Sequence, residues 1–138
     1  MKKRIKEIIC LLLVFACLLP TTLAANANEI QPRYTTIESF LSELYINSSG
    51  YATIYSSVDT NVTSYTVSLS VELQRSSNNR TWSSVRSWNG SQAGHISLDK
   101  NQYVSSGYTY RIHATATVTN SSGRVVETAT KDSATVSY

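Results

Sequence analysis

Two segments of the chain alternate apolar and polar side chains with a period of two, and nothing else constrains the fold as tightly. Val67, Leu69, Val71 and Leu73 interleave with Thr66, Ser68, Ser70, Glu72 and Gln74. Tyr108, Tyr110, Ile112, Ala114, Ala116 and Val118 interleave with Thr109, Arg111, His113, Thr115, Thr117 and Thr119. Successive side chains of an extended strand point to opposite faces, so each segment sets one apolar face against a core and one polar face in water. Both read as half-buried strands.

Turn chemistry divides the remainder. Asn47-Ser48-Ser49-Gly50 and Asn120-Ser121-Ser122-Gly123 are near-identical and supply glycine where a turn needs positive φ. Ser76-Ser77-Asn78-Asn79, Asn89-Gly90-Ser91 and Ser105-Ser106-Gly107 mark further breaks. Between them lie expected strands at 40–46, 51–58, 65–75, 80–88, 94–104, 108–119 and 124–137. About seven short strands at this spacing predict an all-β fold, an antiparallel two-sheet sandwich of immunoglobulin-like type. One segment has a competing pattern. Ile37, Phe40, Leu41, Leu44 and Tyr45 fall at helical spacing after a capping box at Thr35–Glu38. Leu44, Ile46, Ala52 and Ile54 nevertheless share one parity across the Asn47–Gly50 turn, which favours a strand at 40–46.

The N-terminus predicts export. Lys2, Lys3, Arg4 and Lys6 precede an apolar run from Ile8 to Leu19, then Pro20 and a small-residue tail ending in Ala25-Asn26-Ala27. The run is shorter than the ~20 residues a membrane-spanning helix needs, so no stable membrane insertion is expected after cleavage. The expected organisation is a signal peptide at 1–27, an N-terminal tail at 28–39 and one β-sandwich domain at 40–138. Lipidation at Cys17 of Val14-Phe15-Ala16-Cys17 is the alternative to cleavage after Ala27, with bulky Phe15 against it. Both cysteines, Cys10 and Cys17, fall inside the signal, so the mature domain is expected to fold without disulfides. Beyond residue 27, eight cationic and eight acidic side chains balance to zero. No basic patch emerges, and nucleic acid is not an expected partner.

A resemblance enters at Leu73-Gln74-Arg75, Trp82-Ser83-Ser84-Val85 and Gly107-Tyr108-Thr109-Tyr110-Arg111-Ile112-His113-Ala114. These stretches resemble fibronectin type III and bacterial immunoglobulin-like domains, the last being similar to their tyrosine-bearing sixth strand. Together with the export signal and the cysteine-free mature chain, they also resemble a family of small secreted proteins of Gram-positive bacteria. That resemblance implies fold and export, and fold alone does not confer function.

The residues that carry chemistry are sparse. His95 and His113 are the only histidines, and no G-x-S-x-G elbow accompanies the many serines. Glu72, Asp99 and Glu127 stand singly, without the neighbouring acid that tunes a glycosidase pair. No cysteine–histidine or D-x-D spacing suits a metal, and no glycine-rich loop suits a phosphate. The expectation is a protein that is not an enzyme and carries no cofactor or metal.

Aromatic residues are the informative surplus. Trp82, Arg86 and Trp88 share a parity on the fourth expected strand and form the candidate ligand-binding set, against the alternative that both indoles close the core with Arg86 lying over one. Tyr51 and Tyr55 share the face opposite Ala52 and Ile54. The leading functional expectation is a secreted interaction module that binds an extracellular protein or cell-wall component. A carbohydrate-binding module using surface aromatics and a secreted antibacterial β-protein are the alternatives.

Overall fold

The computed structural model describes residues 34–138. The expected signal at 1–27, Cys17 and the tail as far as residue 33 lie outside the described residues. Eight strands follow in order: β1 (Ile37–Ile46), β2 (Tyr51–Thr60), β3 (Thr66–Ser76), β4 (Ser83–Ala93), β5 (His95–Tyr103), β6 (Thr109–Thr119), β7 (Val125–Asp132) and β8 (Val136–Ser137). One sheet has the order β1-β2-β5 and the other β4-β3-β6-β7, with β8 also on β6. All pairings are antiparallel. This is the immunoglobulin-like sandwich.

The two alternating segments are β3 and β6, paired at the centre of the larger sheet. Val67, Leu69, Val71, Leu73, Ile112, Ala114, Ala116 and Val118 fill its inner face at 0–1% exposure. They pack with Phe40, Ala52, Ile54, Val58 and Ile96 of the smaller sheet. Tyr110 is equally buried, and its hydroxyl donates to the Ser105 carbonyl at 2.6 Å. A tyrosine near the start of the sixth strand, bonded to backbone just upstream, is the corner motif of this fold class.

Both Asn-Ser-Ser-Gly segments build the same hairpin turn. Asn47 Oδ1 accepts from the N–H groups of Ser49 and Tyr51, both at 3.0 Å, as Asn120 Oδ1 does from Ser122 and Arg124 at 3.1 and 3.0 Å. Gly50 and Gly123 then take φ of 77° and 80°, the left-handed region that closes such turns.

Three expectations need correction. Asn89-Gly90-Ser91 is not a turn, for β4 runs straight through it. Gly90 lies opposite Leu69 on the inner face, where an added Cβ would sit 2.9 Å from Ile96 Cδ1. Glycine serves close approach of the sheets there, and the corner falls instead at Gly94, with φ of 73°. The segment 124–137 is two strands, because Ser133 interrupts it. Its hydroxyl takes the Ile112 N–H at 2.9 Å in place of a ladder bond. Finally, β1 begins at Ile37, inside the expected tail. Glu38 is skipped in the β1–β2 register, a bulge that turns both Ile37 and Phe40 inward. That bulge gave the segment its helical spacing.

The entry to β1 is tied down by one side chain. Glu127 of β7 accepts the backbone N–H groups of Thr35, Thr36 and Ile37 at 2.9, 2.7 and 2.9 Å. Burial opposes its ionisation, yet the bonds from Thr35, Ile37 and Thr36 outweigh it and hold its pKa below the ordinary glutamate value.

Candidate functional site

Placement of the two tryptophans follows from a second bulge. The β3–β4 register pairs Leu73 with Arg86 and Gln74 with Ser84, leaving Val85 unpaired. Residues on either side of an extra residue reverse their facing. Trp88, opposite Val71, therefore lies on the inner face and packs against the core, half-buried. Arg86 sits 5.7 Å from its ring and donates to Gln102 Oε1 of β5 at 3.0 Å, bridging the two sheets along one edge. Trp82 lies on the outer face of the larger sheet, where the Arg111 guanidinium covers its ring at 4.3 Å. Arg86 and Trp88 are together; Trp82 is on the other side. The three do not form one platform.

The outer face of the larger sheet is polar throughout and bonded to itself. Ser68, Ser70, Ser91, Thr115 and Thr117 occupy its middle. Near Trp82, Arg111 donates to Gln74 Oε1 at 2.9 Å and to Asp132 Oδ2 at 2.8 Å, and His113 Nδ1 meets the other oxygen of Asp132. Glu72 is held ionised below its ordinary pKa by the Ser84 hydroxyl, against some burial, with help from Gln74, His113 and Arg111. Each charge of this cluster has a partner of opposite sign or a hydrogen bond.

The outer face of the smaller sheet differs in kind. Its register sets the outward side chains in rows across β1, β2 and β5: Ser39–Asp59–His95, Leu41–Ser57–Ser97, Glu43–Tyr55–Asp99, Tyr45–Thr53–Asn101 and Tyr51–Tyr103. Tyr45 and Tyr103 are 66% and 69% exposed and Leu41 39%, while Tyr51 and Tyr55 are half-buried. The rings of Tyr51 and Tyr103 meet edge to face, with centroids 5.0 Å apart. No lysine or arginine of the described residues stands at an outward position here; Lys100, the only one on these strands, is opposite Ile54 at an inward position. Glu43 and Asp99 make no ion pair among the described residues, whose ion pairs involve Asp59 and Asp132 alone.

At one end of this face Asp59 accepts from the Ser39 hydroxyl and meets His95 Nδ1, both at 2.6 Å. Ser39 first, then His95, hold its pKa low against partial burial. The carboxylate stands between hydroxyl and imidazole, whereas a nucleophilic triad places the imidazole in the middle.

Tyr51 and Tyr55 were expected on a common face, and they share it with Leu41, Tyr45 and Tyr103. The sequence holds part of this signal. Once Leu44, Ile46, Ala52 and Ile54 turn inward, parity alone sends Glu43, Tyr45, Tyr51 and Tyr55 outward. Tyr103 joins them only through the β2–β5 register. The whole chain matches no protein-family model, and no curated protein is significantly similar to it.

Proposed function

We propose that this protein is a secreted, non-enzymatic interaction module that binds an extracellular partner through the outer face of the β1-β2-β5 sheet. The observation that carries the reading is the contrast between the two outer faces. One is a serine–threonine surface with its charges satisfied internally. The other displays Leu41, Tyr45, Tyr51, Tyr55 and Tyr103 among carboxylates and short polar residues. Tyrosine offers large contact area at little conformational cost, and serine and asparagine around it supply adaptable hydrogen bonds, the composition of a protein-binding surface.

The carbohydrate-binding alternative moves with the aromatics. Trp82 and Trp88 lie on opposite faces of their sheet, so a sugar platform would have to be built from the tyrosines. The test is binding of purified protein to extracellular and cell-surface material of its producer. Tyr45→Ser with Tyr103→Ser should weaken binding at least ten-fold at unchanged melting temperature, because both rings stand in water. Thr115→Ala with Thr117→Ala on the other sheet should bind as the unaltered protein does. Equal binding by both double variants refutes the reading. Binding that survives protease treatment of the material but is displaced by a defined glycan installs the carbohydrate alternative.

A further inference from the structure

Resting on that reading, we infer that the partner inserts an arginine side chain of a basic segment between Tyr45 and Tyr55, against the carboxylate of Glu43. Four observations converge there. Tyr45, Tyr55, Glu43 and Thr53 line a single groove of about 390 Å³, completed by Ser42, Leu44 and Ala134. Glu43 is directly opposite Tyr55, and Tyr45 directly opposite Thr53, so the two tyrosines occupy diagonal register positions. Diagonal neighbours stand about 7–8 Å apart, twice the ~3.5–4 Å contact distance of carbon, which leaves space for one flat layer of atoms. Asp99 flanks Tyr55 on its other side.

The chemistry of the occupant follows from charge and shape. Two carboxylates lacking an ion-pair partner, on a face with no outward lysine or arginine, favour a cation. Aromatic faces attract cations further, and a planar guanidinium stacks on a ring while donating in a fork to a carboxylate. A sugar ring would stack on tyrosine equally well but would draw nothing from the charges. An ammonium would satisfy the charge but not the slot.

The probe is the peptide acetyl-Gly-Arg-Gly-Arg-Gly-amide, compared with the same peptide carrying citrulline, the neutral isostere, in place of arginine. Amide chemical shifts of the full domain are followed during titration at low and at physiological salt. The arginine peptide should move the resonances of Glu43, Tyr45, Thr53 and Tyr55, and the citrulline peptide should not. Glu43→Gln and Tyr55→Leu should each weaken the arginine peptide by roughly three- to ten-fold, as loss of one partly exposed charge or ring contact implies. Asp132→Asn, on the opposite sheet, should leave it unchanged. Equal response to both peptides, or shifts centred on Asp132 and Trp82, overturns the inference. If the arginine peptide fails while the Tyr45→Ser, Tyr103→Ser variant still loses the extracellular partner, the arginine slot is wrong and the interaction face stands.

Discussion

Replacing Glu127 with glutamine removes a charge and one acceptor from the clasp that holds the start of β1. In the folded protein Oε1 takes the Thr35 N–H, and Oε2 takes those of Thr36 and Ile37. Glutamine keeps one carbonyl oxygen and turns an NH₂ group toward the remaining donors, so at least one charge-assisted bond is lost. Bonds to charged groups contribute about 1.5–3 kcal/mol, and the outermost of these three is exposed and counts for less, which sets the expected loss near 2 kcal/mol. For a domain of this size that lowers the melting temperature by roughly 8–12 °C. The dependence on pH has a definite sign. A carboxylate whose pKa is depressed by folding stabilises fully above its unfolded pKa and ceases to do so as pH falls through the folded value. The gap between the two proteins should be widest near neutrality and close as pH falls through and below the ordinary glutamate range. Thermal melts by circular dichroism across this range, with amide exchange of Ile37, make the assay. A gap below about 0.5 kcal/mol at neutral pH, or one that persists undiminished at about pH 3, refutes the clasp.

Two further outcomes test the packing. Leu69→Ala should cost about 2–5 kcal/mol in denaturant melts, while Ser70→Ala, one residue along and facing water, should cost under about 0.5 kcal/mol. Trp88→Ala should destabilise by about 2 kcal/mol, roughly half the loss of a fully buried tryptophan, because its ring is half-buried on the core. Trp82→Ala should cost under about 1 kcal/mol, the scale of an exposed contact between an arginine and a ring. Equal losses at the two tryptophans would mean that the Val85 bulge does not separate them.

Strands and turns were legible wherever local pattern and tertiary role coincide. The alternation of β3 and β6 marks a central pair, and the two Asn-Ser-Ser-Gly turns recur with the same bonds. Pattern misled wherever a single residue breaks the period. Glu38 gave β1 a helical spacing, and Val85 gave Trp82 and Trp88 a common parity that the sheet reverses. A bulge is set by pairing with a neighbouring strand, and no local property of Glu38 or Val85 announces it. Gly90 misled for another reason: beside Asn89 it has the chemistry of a turn, but what it supplies is space for Ile96 and Leu98 of the facing sheet. The tyrosine face needed three strands brought into register, so parity reached Tyr45, Tyr51 and Tyr55 and stopped short of Tyr103.

The most direct test of the interaction face is site-specific photocrosslinking. A benzophenone amino acid is placed at position 45, 103 or 117, and each protein is irradiated with extracellular material from the producer. Positions 45 and 103 look out from the smaller sheet and position 117 from the larger, so the account predicts a common adduct from the first two and none from the third. An adduct formed from position 117 and absent from 45 and 103 would place the partner on the serine–threonine face and contradict the account.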